Sequence, residues 1–288
     1  MITNGYLTTE KYNQIHGMYI SAADTLNIEL IPITNREALV EISNAVLLGQ
    51  ETLSTPEFIL FLDKDIILAR HLENMGYRVF NSSHAIEVCD DKALTFLELA
   101  GSGIKMPRTV NAPLCFHKNE ETALFYQTIE NVLGYPMIIK ERFGSFGEQV
   151  YLANNRDELI RTRDSISPRP HVYQELIKSS VGRDVRLQVV GEKVVAAMKR
   201  HSDTDFRANL SMGGKMEPFL PGDDFIAMAL TAAKTAEVLF CGVDILFGAK
   251  GEPILCEINS NAHIKNIFDC THVDVAQAIL HSILEVIR

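Results

Sequence analysis

Two acidic residues and an amide near the C-terminal end of the sequence are spaced as metal ligands on a β-hairpin would be. Asp244 precedes a Lys250-Gly251 turn, and Glu257 and Asn259 follow it. Counting outward from that turn predicts that Asp244 lies opposite Glu257. Because side chains alternate between the two faces of a strand, Asn259 is expected on the same face.

Two acidic residues at directly opposite positions have Cβ atoms about 5 Å apart and their charges repel each other, so a bound cation would stabilise the pair. Carboxylate and amide oxygens are the hard ligands that Mg²⁺ takes together with water and substrate phosphates. Leu246 and Leu255 are predicted to be opposite each other on this face, where they would form an apolar floor for a flat ring. The alternative is an exposed hairpin face whose acids are solvated by water.

A loop after Lys140 contains the residue types that bind an anion through the backbone. Gly144, Ser145 and Gly147 follow a predicted strand that ends at Lys140. Glycines let backbone N–H groups approach an anion closely, and the lysine adds a positive charge. The spacing matches neither GxxxxGK[ST] nor GxGxxG. The alternative is an ordinary flexible hairpin loop.

A second hairpin carries basic residues. Counting outward from a Gly191-Glu192 turn predicts that Asp184 lies opposite Lys199 and that Arg186 shares their face. Lys199 and Arg186 could there bind phosphate or carboxylate, and arginine can do so with two parallel hydrogen bonds. The alternative is a ladder of surface ion pairs. Downstream, Arg207 and Asn209 lie in a predicted loop of the kind that closes over a substrate.

The elements that must position these residues follow from apolar periodicity. The first ninety residues alternate short apolar runs with helical patterns, which predicts a parallel α/β layer. Its expected strands are 28–31, 58–61 and 77–80, and its expected helices span 12–26 and 67–75. Asp90 and Asp91 are candidate N-caps of a further helix.

The rest of the chain predicts antiparallel sheet with intervening helices. A helix over 120–133 is expected to end at Gly134, since glycine is favoured directly after a helix. The expected strands are 136–140 and 149–152, then 184–190 paired with 193–200, and 241–247 paired with 253–258. The remaining expected helix spans 223–238.

Composition bounds the function classes. The 288 residues have a formal charge of −10, with 47% hydrophobic and 22% charged residues, which excludes a disordered chain and argues against a nucleic-acid partner. Five cysteines without a CxxC motif do not indicate a disulfide framework. Because no signal peptide and no apolar run of about 18 residues is present, we expect a cytoplasmic protein with no membrane segment.

The order of these motifs from about Asp90 onward resembles the ATP-grasp superfamily, and within it the RimK-like α-L-glutamate ligases. The motifs that carry the resemblance are Lys92, Lys140, the 144–147 loop, Gln174-Glu175-Leu176-Ile177, Gly182-x-Asp184-x-Arg186, Phe206-Arg207-x-Asn209-Leu210, Gly242-Val243-Asp244 and Glu257-x-Asn259. The resemblance implies an α/β ATP-grasp fold that is α+β in its C-terminal half. Its expected parts are an N-terminal parallel α/β pre-ATP-grasp domain (1–90), a central subdomain with the glycine loop (91–178) and a C-terminal subdomain with the metal site (179–288).

The resemblance also implies a role for each matching residue. Nucleotide contacts are implied for Lys92 and Lys140 at the phosphates, Glu175 and Leu176 at the adenine edge, Asp184 at the ribose, and Arg207 and Asn209 near the γ-phosphate and the acyl intermediate. Arg186 would hold a substrate carboxylate. Asp244, Glu257 and Asn259 would bind Mg²⁺ or Mn²⁺, in agreement with the hairpin argument.

The implied reaction is ATP-dependent ligation of a carboxylate to an amine through an acyl phosphate, with release of ADP. Arg207, Lys140 and Arg186 are the implied catalytic residues, because positioning and charge neutralisation dominate phosphoryl transfer. The implied substrates are an amino acid such as glutamate and a peptide or small-molecule acceptor, and a homo-oligomer is common among such enzymes. The alternatives are a small-molecule kinase on the same scaffold and a non-catalytic nucleotide-binding module.

The sequence departs from the RimK pattern directly after Asn259. Small residues followed by proline and glycine are usual there, whereas this chain has 260–266, Ser-Asn-Ala-His-Ile-Lys-Asn. That segment would line the substrate pocket, which puts glutamate as the added amino acid in question. His263 and Lys265 could bind an anionic acceptor, or His263 could cap the following helix.

Overall fold

The computed structural model describes residues 1–43, 46–48 and 55–288. At the N-terminal end is a small sheet in which β2, β1, β5 and β6 lie side by side and parallel. This sheet, together with the helices between its strands, is here called the N-terminal layer. β3 and β4 form a separate antiparallel pair. The elements are β1 (Ile2–Thr3), α1 (Glu10–Thr25), β2 (Ile33–Thr34), β3 (Leu39–Glu41), β4 (Val46–Leu48), β5 (Ile59–Leu62), α2 (Ile66–Asn74), β6 (Val79–Phe80) and α3 (Ser83–Asp90).

The prediction of a strand at 28–31 is wrong, because the next strand after α1 in the sequence is β2, at Ile33–Thr34. Helix α1 is followed by Asn27 in the left-handed region (φ 54°), and the Ile28 amide donates to the Ala23 carbonyl. This bond holds the chain against the helix end, so the ladder with β1 begins only at Ile33. The predicted strands near 58–61 and 77–80 and both predicted helices are confirmed.

A second, antiparallel sheet of order β7-β10-β8-β9 follows, here called the central sheet. Apolar side chains of α5 and α6 pack together with it in one hydrophobic cluster. The elements are α4 (Lys92–Glu98), β7 (Thr109–Asn111), α5 (Ala123–Leu133), β8 (Met137–Glu141), β9 (Val150–Ala153), α6 (Arg156–Ile166) and β10 (His171–Glu175). Asp91 caps α4 as predicted, whereas Asp90 is the last residue of α3.

The third sheet, here called the C-terminal sheet, has the order β13-β12-β11-β14-β15 with antiparallel pairs throughout. Its elements are β11 (Arg183–Val190), β12 (Lys193–His201), β13 (Lys215–Pro218), α7 (Asp223–Thr235), β14 (Phe240–Phe247), β15 (Pro253–Asn259), α8 (Ile264–Thr271) and α9 (Val275–Ile287). Among the described residues, no helix has the length and apolar character needed to cross a membrane.

Two hydrophobic clusters include side chains of the C-terminal sheet. One contains residues of α3 and α7, and the other contains residues of α1, α8 and α9. Tyr19 and Ala23 of α1 are almost completely buried in the second cluster, so the N-terminal layer shares a core with the C-terminal sheet. This shared core places α1 beside α8 and α9.

The basic hairpin β11–β12 keeps the predicted register only near its turn. Val190 pairs with Lys193, as counting from the turn predicts. The register shifts between Val189 and Gln188, on the side of Val189 that is farther from the turn. Beyond this irregularity Asp184 lies opposite Arg200, and the predicted pairing of Asp184 with Lys199 is wrong. One extra residue in β12 moves each later side chain of that strand to the other face.

In the acidic hairpin β14–β15 the predicted register is wrong next to the turn and correct farther from it. Asp244 lies opposite Glu257, as predicted, but the register shifts directly after Asp244. On the turn side of this shift Leu246 pairs with Ile254, so the predicted pairing of Leu246 with Leu255 is wrong. Cys256 is the extra residue of the bulge.

Candidate active site

A cavity between the central sheet and the C-terminal sheet collects most of the predicted site residues. Its walls include the loop between β8 and β9 (142–149), here called the glycine loop, and part of the loop that follows β12. The predicted residues that line it are Lys92, Lys140, Gly144, Ser145, Gly147, Glu175, Leu176, Asp184, Arg207, Asn209, Asp244, Leu246 and Glu257. We call it the first cavity.

Two lysines bring positive charge to one part of this cavity. Lys140 on β8 is buried, and its Nζ lies 3.7 Å from the Cys256 Sγ. Lys92, the first residue of α4, points its Nζ at the Gly144 carbonyl from 3.5 Å. Burial lowers the pKa of Lys92, and the charge of Lys140 lowers it further against the opposing effect of Glu257. Neither lysine forms an ion pair with a carboxylate in the described part of the chain.

The glycine loop is held closed by the loop that carries Arg207. Arg207 donates from Nη1 to the Gly147 carbonyl at 2.7 Å, and Asp205 fixes its guanidinium through Nε (3.0 Å) and Nη2 (2.8 Å). Gly147 has a φ of 77°, and a Cβ there would lie 2.7 Å from the Asn209 Oδ1. The backbone conformation therefore favours glycine here, and any larger residue would also displace the Asn209 side chain.

Three buried charges that line the first cavity, Asp184, Arg200 and Asp244, form a network with the half-buried Arg186. Arg186 donates to both oxygens of Asp244 at 2.6 Å, and Arg200 donates to both oxygens of Asp184 at 2.7 Å. Arg200 also lies 2.9 Å from Asp244. Burial by itself would raise the pKa of Asp244, but Arg186 and Arg200 together hold it well below its ordinary value. Asp244 is therefore ionised over the whole physiological range.

Of the proposed metal ligands, Asp244 belongs to this network, and Glu257 and Asn259 lie on the neighbouring strand β15. Glu257 is opposite Asp244 in the sheet register, and the Asn259 side-chain amide donates to the Glu257 Oε1 at 3.2 Å. No group of three histidine, cysteine or acidic residues suited to a metal occurs among the described residues, so this candidate set combines two carboxylates with one amide. Arg186 and Arg200 use three hydrogen-bonding positions of Asp244 and leave one on Oδ1. The oxygen donors fit Mg²⁺ in number and type.

The shifted register removes Lys199 from the site and brings in Arg200, which the sequence argument missed. Lys199 lies 2.8 Å from Glu217 on the neighbouring β13, and it lines neither cavity. Arg200, the next residue along the strand, lines both cavities. No glycine, proline or turn residue marks the irregularity in this part of β12, so the sequence carries no signal that identifies Arg200.

The apolar floor of the first cavity differs from the prediction in the same way. Leu255 is completely buried in the core, whereas Leu246 and Cys256 line the cavity together with Ile138. Glu175 lines it too, and its carboxylate binds the Arg108 backbone N–H and guanidinium. A flat ring can therefore rest on Leu246 and Cys256, but Leu255 cannot contact it.

A second cavity lies between the C-terminal sheet and the N-terminal layer. It is lined by predicted site residues Arg186 and Asn259, and by residues of α1, of the loop after β5 and of the segment after β15. The two cavities share five lining residues, Ser145, Phe146, Arg200, Asn209 and Glu257. A ligand in one cavity can therefore reach a ligand in the other.

Comparisons with known proteins identify the family of the chain. The family model described as RimK-like ATP-grasp domain matches residues 89–283. The "Uncharacterized protein MG012 homolog" of Mycoplasma pneumoniae is 34% identical over 229 residues, which is 78% of this chain and 79% of the relative. The "Probable alpha-L-glutamate ligase" of Legionella pneumophila (strain Corby) is 35% identical over 217 residues, covering 74% and 69% of the two chains.

Solved structures show the same fold. The D-alanine–D-alanine ligase of Bacillus anthracis superposes with a TM-score of 0.74 at 18% identity, over 99% of this chain and 95% of the other. The predicted fold class is thereby confirmed for the described residues, including the N-terminal layer.

Proposed function

Because the chain belongs to the RimK-like ATP-grasp family, whose relatives are ligases that form carbon–nitrogen bonds, we propose that it joins a carboxylate to an amine through an acyl phosphate, with conversion of ATP to ADP. The amine substrate in this proposal is an amino acid such as glutamate, and the acceptor is a peptide or a small acid. One observation carries the proposal: the two cavities meet at Glu257, Arg200, Asn209 and the glycine loop.

The first cavity suits a nucleotide. Leu246 and Cys256 offer the apolar floor for the base, and Leu176 lies at its edge. Lys92 and Lys140, which lack carboxylate partners among the described residues, are placed to bind the phosphates beneath the glycine loop. Closure of the loop by Arg207 would exclude water from the reacting phosphate.

Asp244, Glu257 and Asn259 would hold Mg²⁺ at the junction of the two cavities. The bound ion would neutralise charge on the phosphates during transfer. Asp244 enters this set already ionised, because its two arginine partners lower its pKa. Glu257 lines both cavities, so it is the ligand placed to face nucleotide and carboxylate together.

Bond changes in the proposed reaction follow from this arrangement. A carboxylate oxygen held near Arg186 attacks the γ-phosphorus, and the bond from that phosphorus to the ADP oxygen breaks. The amine nitrogen then attacks the carbonyl carbon of the acyl phosphate, phosphate leaves, and the nitrogen loses a proton. No nucleophilic side chain is needed, because proximity and charge neutralisation carry the phosphoryl step.

A trapping experiment tests the proposal. Purified protein with Mg-ATP is screened for ADP release against a panel of carboxylates, with hydroxylamine present to trap an acyl phosphate as a hydroxamate. We expect ADP and hydroxamate in equal amounts for the correct acid, and an amide when the correct amine replaces hydroxylamine. A stable phosphorylated product without hydroxamate would indicate a kinase, and binding of ATP without ADP release would contradict the proposal.

A further inference from the structure

The glycine loop is held at its base and at its tip by different parts of the molecule. At the base, the Arg142 Nε donates to Asp91 at 2.8 Å, and the Lys92 backbone N–H donates to the Arg142 carbonyl at 3.1 Å. The tip consists of Ser145 and Phe146, and both residues line both cavities. Contacts of the tip therefore determine whether the loop can lift away from a bound ligand.

The tip has a backbone conformation that contacts from outside the loop must stabilise. Phe146 has a φ of 61°, in the left-handed region, which is unfavourable for a bulky side chain. Its carbonyl accepts a hydrogen bond from the Ser211 hydroxyl at 2.9 Å. Its ring lies 5.3 Å from the ring of His263, which stands edge-on to Tyr12 of α1 with centroids 5.1 Å apart. The observed conformation thus depends on neighbours of the loop.

The N-terminal layer supplies a polar contact to the same tip. Lys64, in the loop after β5, places its Nζ 3.2 Å from the Ser145 Oγ. Asp90, the last residue of α3, forms an ion pair with the same ammonium. The Lys64 backbone N–H donates to the Asp63 carboxylate at 2.7 Å. Both the backbone and the charged end of Lys64 are therefore fixed.

The two residues that fix Lys64 are themselves anchored. Asp63 is buried and accepts hydrogen bonds from the side-chain amides of Asn4 at 3.0 Å and Asn35 at 2.7 Å. Asp90 ends a helix whose apolar side chains are part of a hydrophobic core. Because Lys64 is already ordered by these contacts, its hydrogen bond to Ser145 costs less side-chain entropy than one from a free surface lysine would.

We propose that Lys64 is a positioning residue, which holds the glycine loop closed over the nucleotide by donating a hydrogen bond to Ser145. This inference rests on the proposed function, in which ATP lies beneath that loop. Lys64 acts through Ser145 and does not itself contact the reacting atoms. The N-terminal layer thereby slows the escape of the nucleotide and keeps water from the acyl phosphate until the amine attacks.

A double-mutant cycle on the full-length protein tests this proposal. Stopped-flow fluorescence measures the dissociation rate constant of mant-AMPPNP with Mg²⁺, during a chase with excess unlabelled ATP. The wild type is compared with Lys64→Met, Ser145→Ala, the double variant and the conservative Lys64→Arg. Lys105→Met is the matched control, because Lys105 also forms an ion pair, with Glu252 at 2.7 Å, but lines neither cavity.

We expect Lys64→Met and Ser145→Ala each to raise the dissociation rate constant about fivefold. The double variant should show about the same fivefold increase, because the two changes remove one and the same hydrogen bond. Lys64→Arg should stay within about twofold of the wild type, and Lys105→Met should match it. Ser145→Ala changes only a loop side chain, so its rate constant decides the proposal even if Lys64→Met is unstable.

Effects that multiply to about 25-fold in the double variant would mean that Lys64 and Ser145 bind the nucleotide separately, and would overturn the proposal. An unchanged rate constant in either single variant, or an equal increase in Lys105→Met, would overturn it too. The trapping experiment is separate: absence of hydroxamate with every acid contradicts the ligase reaction, even where the cycle gives the expected rate constants.

Discussion

The basic hairpin β11–β12 and the acidic hairpin β14–β15 each contain one register irregularity, with opposite consequences for prediction. In the basic hairpin, counting from the turn is correct up to Val189, and every pair beyond it is displaced. In the acidic hairpin, counting is displaced by one residue next to the turn, and the bulge at Cys256 corrects it before the Asp244–Glu257 pair. The correct metal-ligand pair thus results from two offsets that cancel.

The comparison shows how far a turn determines a hairpin. A turn sets the register only up to the first bulge, because one extra residue reverses the face of each later side chain. In the acidic hairpin the bulge turns Cys256 toward the first cavity and leaves Leu255 in the core. In the basic hairpin the irregularity brings Arg200 into the site and turns Lys199 toward β13.

The largest expected effect concerns the acidic hairpin. Glu257→Ala should lower the rate of ADP formation by about 10²–10³-fold or more, because it removes a proposed metal ligand at the junction of the two cavities. Glu192→Ala, at the exposed turn of the basic hairpin, removes the same charge and should leave the rate unchanged. Steady-state ADP release measures both, and wild-type turnover by Glu257→Ala would refute the metal assignment.

Neighbouring residues of β12 should differ sharply in stability. Arg200→Gln leaves Asp184 buried without its ion-pair partner and Asp244 paired with Arg186 alone, which we expect to cost about 3–5 kcal/mol in free energy of unfolding. Lys199→Gln removes only a largely exposed pair with Glu217 and should change that free energy by less than about 0.5 kcal/mol. Urea denaturation measures both variants, and equal effects would mean that the observed register is wrong.

A matched pair on β15 tests the bulge of the acidic hairpin. Leu255→Ala should destabilise the fold by about 2–5 kcal/mol through a core cavity, with little effect on nucleotide affinity. Cys256→Phe should instead fill the floor of the first cavity and weaken AMPPNP binding by about tenfold or more, with a smaller effect on stability. If Leu255→Ala were the variant that lost nucleotide binding, the uninterrupted register would be correct.

The smallest expected effect is a pH dependence at the end of the acidic hairpin. His263 has a pKa of about 4 when folded and near 6.5 when unfolded, so the unfolded chain takes up the proton first as the pH falls. Its contribution to stability is complete above pH 6.5 and decreases toward pH 4, by about 2 kcal/mol between pH 7 and pH 5. Urea denaturation at the two pH values should show a smaller decrease for His263→Phe than for the wild type. An identical decrease would contradict burial of this ring between Tyr12 and Phe146.

Much of the fold and of the site can be predicted where local signals are strong. Helix α1, the cap at Asp91 and the β8 strand before the glycine loop follow from periodicity, a capping residue and a glycine turn. The β2 position could not be predicted, because a hydrogen bond back to the end of α1 shifts the start of the strand pairing to Ile33. The short strands β7 and β10 likewise lack a distinctive pattern and form through pairing within the central sheet.

By itself the sequence determined which residue types the site contains: paired carboxylates, an amide, a glycine loop and the lysines around it. These are local properties of the chain, and they survive small errors in register. Only the tertiary structure decided which neighbour faces the cavity, Arg200 or Lys199 and Cys256 or Leu255, because a one-residue bulge has no local signature and reverses a whole face. It also decided that Lys11 of α1 lines the second cavity, since burial of α1 against the C-terminal sheet joins residues more than 170 positions apart, such as Lys11 and Arg186.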